Sequence, residues 1–135
     1  METKMKTEMQ KFVEDSARTM NSDHKAIAKR LSDPKNIDLL HATMGMSTEA
    51  NELVDQMKKV IFYGKPMDTA NIVEELGDVL FYVAIVCREL NVSMERIGEI
   101  NIAKLKKRYP DAFSEENALN RDLDAERKIL EGSGG

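Results

Sequence analysis

The chain has 135 residues, enough for one domain with a modest core, and 24 acidic against 20 basic residues leave a formal net charge of −4. That balance argues against a nucleic-acid polymer as partner, and no apolar run is long enough to span a bilayer. The polar start METKMKTEMQ lacks the apolar stretch of a signal peptide, and the single cysteine, Cys87, reads as a buried thiol without a disulfide partner, so a cytoplasmic protein is the simplest reading.

Only 5% of residues are aromatic, there is no tryptophan, and strict period-2 alternation is absent, which predicts an all-α chain whose core is aliphatic and methionine-rich. In chain order, the first thirty or so residues predict a helix with Met5, Met9, Phe12, Val13 and Ala17 on one side. Asn21-Ser22-Asp23 breaks it and caps a short segment, His24 to Leu31, which Ser32-Asp33-Pro34 ends. Asn36 is read as the N-cap of a long helix to about Phe62, with Leu39, Leu40, Thr43, Met46, Ala50, Leu53, Val54, Met57 and Ile61 along its apolar stripe. Gly45 in that helix suggests close packing against a neighbour. Tyr63-Gly64-Lys65-Pro66 is a stop, with Gly64 suited to the left-handed cap. Asp68 caps the next helix, to about Leu90, and Ser93 caps another through about Arg108. Tyr109-Pro110-Asp111 ends that one. Ser114-Glu115-Glu116 opens a charged final helix, Asn117 to Leu130, before a flexible Gly132–Gly135 tail. The resulting organisation is an N-terminal helical extension (1–35), a helical core (36–113), a C-terminal charged helix (114–131) and the tail (132–135). Three core helices cover their apolar stripes poorly alone, so a homodimer or homotetramer is expected to complete the bundle.

The chemistry lies in two acidic pairs, Glu49 with Glu52 and Glu75 with Asp78. Spacing i, i+3 is about 300° of helix rotation, so each pair shares a face. One such pair is ordinary on a solvated helix. Two on consecutive helices can face each other in an antiparallel hairpin, where Glu52 and Glu75, each about ten residues from the Gly-Lys-Pro turn, come level. Four carboxylates facing one another repel unless a hard cation neutralises them, and an all-oxygen ligand set suits Mg²⁺, or Mn²⁺ as a substitute, better than Zn²⁺. A di-iron carboxylate bundle would need Glu-x-x-His pairs, and neither histidine follows a glutamate by three.

The stretch from His41 to Asp55, the turn Lys58-Lys59-Val60-Ile61-Phe62-Tyr63-Gly64-Lys65-Pro66, and Val73-Glu74-Glu75-Leu76-Gly77-Asp78-Val79-Leu80-Phe81-Tyr82 resemble the motif helices and hairpin turn of MazG-like nucleotide pyrophosphohydrolases, whose signature is Glu-x-x-Glu followed by Glu-x-x-Asp. The resemblance runs from about residue 37 to 113. It implies a MazG-like helical bundle that hydrolyses (deoxy)nucleoside triphosphates to monophosphate and pyrophosphate with Mg²⁺ held by Glu49, Glu52, Glu75 and Asp78. Attack would come from a metal-activated water, with Glu49 or Glu52 as the catalytic base.

Other polar residues carry two readings each. Asn101, Lys104 and Arg108 have i, i+3, i+7 spacing and either contact the phosphates and sugar or form a solvated basic face favoured by the helix dipole. Lys59 either reaches the phosphates or makes a salt bridge. His41, near the face of Glu49, either lines a base pocket or is an ordinary helix residue. Phe81 or Tyr82 either stacks on a base or packs in the core. The alternative to an enzyme is a non-catalytic helical module for nucleotide sensing or protein interaction, which predicts no nucleotide turnover.

Overall fold

The computed structural model describes residues 6–132, and among them it contains seven helices and no strand, as an all-α chain should. They are α1 (Glu8–Thr19), α2 (His24–Leu31), α3 (Pro34–Tyr63), α4 (Thr69–Leu90), α5 (Met94–Arg108), α6 (Glu115–Leu119) and α7 (Leu123–Gly132). None of the described helices is long and apolar enough to cross a membrane. The chain divides into two compact units between Ile37 and Asp38.

In the first unit, α1 opens on a capping box: Thr7 Oγ1 accepts from Gln10 N–H (3.2 Å) and Gln10 Oε1 from Thr7 N–H (2.8 Å). Its expected stripe of Met9, Phe12 and Val13 is exposed, while Met5 falls outside the described residues. Asp23 caps α2 as the sequence predicts, accepting from Ala26 N–H at 3.0 Å. The start of α3 differs. Pro34 is its first residue, where a missing N–H removes nothing the helix would use. Asp33 satisfies that end, its carboxylate accepting from Lys35 N–H (2.9 Å) and its carbonyl from Ile37 N–H (3.0 Å). Asn36 is therefore not the cap; its side chain donates back to the Arg30 carbonyl at 2.9 Å.

In the second unit, Gly64 takes φ +64°, and Lys65 N–H bonds the Lys59 carbonyl (3.1 Å), closing α3 by the left-handed cap that the sequence anticipates. Asp68 caps α4 through Asn71 N–H (3.0 Å), and Ser93 caps α5 through Arg96 N–H (3.0 Å). Helices α3 and α4 run antiparallel: Gln56 meets Asn71, Glu49 meets Glu75, and Gly45 meets Tyr82, pairs that mirror one another about the turn. Ala42 is fully covered and Cys87 is 7% exposed, so the thiol is buried as expected. Most of the remaining stripe is not covered. Val54 and Ile61 on α3 are each 65% exposed, and Leu80 on α4 is 57% exposed.

The single charged helix expected after residue 114 is two. Asn120 ends α6, its N–H and side chain both bonding the Glu116 carbonyl (2.9 and 3.0 Å), and Asp122 caps α7 through Ala125 N–H (3.0 Å). The break lets α7 return against α5. Glu126, 3% exposed, accepts from Arg108 through Nε (2.8 Å) and Nη2 (2.9 Å), and from Arg121 Nη2 at 2.6 Å. Two guanidiniums on one buried carboxylate make a charge-assisted, geometrically demanding lock. The hydrogen bonds from Arg108, then those from Arg121, hold the Glu126 carboxyl far below its ordinary value, against the opposing effect of burial. A carboxyl depressed in the folded state stabilises it fully above the unfolded value of 4.5 and loses that contribution as pH falls. Glu126→Gln should therefore lower Tm by about 5 °C or more at neutral pH. The gap from the parent protein should narrow below pH 4.5, read by thermal melts across pH.

Candidate metal centre

Glu49 projects from the middle of α3, and Glu75 and Asp78 project from adjacent turns of α4. Antiparallel packing brings the three together, with one carboxylate oxygen of each within 4.8 Å of the others. Glu49 and Glu75 are half-buried and Asp78 is exposed. Partial desolvation raises the Glu49 carboxyl above its ordinary value, helped by a hydrogen bond with Glu75 and by the charges of Asp78, Glu75 and Glu52. Three carboxylates at this separation repel one another, and a bound cation would relieve that repulsion. Their donors are all oxygen, which fits a hard divalent ion.

Glu52 is not among the three. It is exposed, one turn along α3, and its charge reaches both Glu49 and Lys59. Lys59 makes the salt bridge that was one of its two readings: its Nζ lies 2.7 Å from Asp55, which also meets Lys58 at 3.0 Å. The hydrogen bond from Lys59 lowers the Asp55 carboxyl, and the same bond raises the Lys59 ammonium. His41 is exposed on α3 with its ring 6.0 Å from that of Tyr82, which in turn meets Phe81 edge-on at 5.2 Å. On α5, Asn101 is exposed and Lys104 half-buried, whereas Arg108 is engaged by Glu126 as described above.

Two site residues escape a reading confined to charge. Asn71 donates through Nδ2 to Glu75 Oε1 (3.1 Å) and Glu74 Oε2 (3.3 Å), and its Oδ1 accepts from Gln56 Nε2 on α3. Spacing alone offers a signal: Gln56 stands seven residues after Glu49 and Asn71 seven before Asp78, so both extend the acidic stripes toward the turn.

An antiparallel helical hairpin that presents acidic groups from both arms is a candidate carboxylate site for a divalent cation. Residues 39–113 match the MazG nucleotide pyrophosphohydrolase domain, and the chain belongs to that family. It is also similar to the Gene 37 protein of Mycobacterium phage L5, 32% identical over 87 residues that cover 62% of this chain and 76% of the phage protein. No solved structure matches it at a significant level.

Proposed function

We propose that the protein is a divalent-cation-dependent nucleoside triphosphate pyrophosphohydrolase that cleaves between the α and β phosphates, releasing the nucleoside monophosphate and pyrophosphate. The observation that carries this reading is the convergence of Glu49, Glu75 and Asp78 from two helices within 4.8 Å, in a chain of this family. In this reading those three hold Mg²⁺, with Mn²⁺ able to substitute, and Glu52, one turn away on α3, serves the attacking water. A bound cation supplies neutralisation of the polyphosphate charge and acidifies the attacking water. Glu52 lies outside the cluster and is exposed, which leaves its carboxylate free to accept the proton.

Asn101 and Lys104 are the proposed contacts to sugar and phosphate from α5, and Arg108, clamped by Glu126, fixes the end of that helix. Lys59 and His41 flank the acidic stripe on α3 and are assigned to the substrate side. The exposed apolar ridge of α3, where Leu53, Val54, Met57, Ile61 and Phe62 line a groove of about 570 Å³, supports a homodimer or homotetramer that covers it.

The test is pyrophosphate release from a panel of ribo- and deoxyribonucleoside triphosphates with Mg²⁺, Mn²⁺ or EDTA. Release that requires metal is the expected result, and it ranks bases and sugars at the same time. Silence across the panel from folded protein would support a nucleotide-sensing or interaction module instead.

A further inference from the structure

We propose that Asn71 is a positioning residue for the metal centre, its amide aimed by Gln56 so that the NH₂ end holds the Glu75 carboxylate toward Glu49 and Asp78. The inference rests on the cation-binding reading of those carboxylates.

A carboxamide has one end that donates and one that accepts, and the two ends of Asn71 are assigned by its neighbours. Gln56 Nε2, reaching across from α3, donates to Asn71 Oδ1. That contact turns Nδ2 toward Glu75 (3.1 Å) and Glu74 (3.3 Å). The reverse orientation would set a carbonyl oxygen against carboxylates and face two NH₂ groups across the helices. Asn71 is itself fixed, because its backbone N–H is bonded to the Asp68 cap at 3.0 Å in the first turn of α4. Both amides are half-buried, where a directional hydrogen bond is worth more than in open solvent. Glu75 is thus held by a donor on its own helix and, one bond further, by the facing helix. The choice of amides is also electrostatic: this rung of the hairpin adds donors to the acidic stripe without adding charge. Outer groups that orient metal ligands matter to metal affinity by about 10–100-fold.

The experiment is a Mn²⁺ titration followed by electron paramagnetic resonance, on the full chain and on Asn71→Leu, Gln56→Met and the double variant, with helical content and Tm recorded for each. Asn71→Leu should weaken Mn²⁺ binding by about 10-fold or more at unchanged helical content. Gln56→Met should weaken it less. The double variant should be no weaker than Asn71→Leu, because Gln56 acts only through Asn71. A merely structural amide would lower Tm and leave Mn²⁺ affinity alone, and that result for Asn71→Leu overturns the inference. Additive losses would remove the role of Gln56. Should Asn71→Leu not fold, Gln56→Met decides by itself, an unchanged affinity being the overturning result. Absence of Mn²⁺ binding by the parent protein would instead bring down the cation-binding reading, and the inference with it.

Discussion

Asp78→Asn is expected to abolish pyrophosphate release while leaving the helices intact. The substitution keeps the size of the side chain and removes its charge, and Asp78 is exposed, so the fold loses little. The site loses one of its three converging carboxylates. That change should exceed the roughly 10–100-fold effect of disturbing an outer group, so turnover should fall by more than about 100-fold. Circular dichroism reports the fold and pyrophosphate release the activity; retained turnover would sink the assignment. Glu52→Gln gives the contrast. As the proposed proton acceptor outside the cluster, it should lose turnover yet still bind Mn²⁺.

Gly45→Ala should destabilise the protein, against what helix propensity alone dictates. Alanine in place of glycine inside a helix normally gains about 1 kcal/mol. Gly45, however, is buried where α3 passes α4, and a Cβ there would clash with the ring of Tyr82. Tyr82 is half-buried, its ring close to those of His41 and Phe81, so it cannot swing clear without disturbing them. Overpacking of this kind costs about 1–3 kcal/mol, enough to cancel the propensity gain and leave a net loss. Gly45→Val adds more volume and loses more. The effect should reach the metal site, because Gly45 is one turn before Glu49 and Tyr82 one turn after Asp78. Prising the helices apart at this rung separates the carboxylates. Thermal denaturation with Mn²⁺ titration reads both consequences, and an unchanged or higher Tm for Gly45→Ala would show that Tyr82 yields.

The hairpin was legible because each of its signals is local. Gly64 announces the left-handed cap, Asp68 and Ser93 announce helix starts, and the i, i+3 acids announce a common face. Counting outward from the turn sets Glu52 level with Glu75, whereas the carboxylates that converge are Glu49, Glu75 and Asp78, with Glu52 one turn away. What the sequence withheld depends on contacts between distant residues. Arg108 looks like a free phosphate contact until Glu126 is seen against it, and no periodicity links positions on α5 and α7. The division of the last helix at Asn120 likewise turns on side-chain hydrogen bonds that compete with the helix, which propensity registers only weakly. Asn36 deceived for a related reason. It is a good cap by type, but Pro34 had already started the helix.

The uncovered ridge of α3 bears on what stability means for this chain. Phe62 is 77% exposed, and Val73 on α4 is 61% exposed, so much of the hydrophobic driving force is unspent in one copy. With a second copy as the proposed cover, folding and association share one free energy. The melting temperature then becomes a function of dilution by mass action, and no concentration-independent value belongs to the chain.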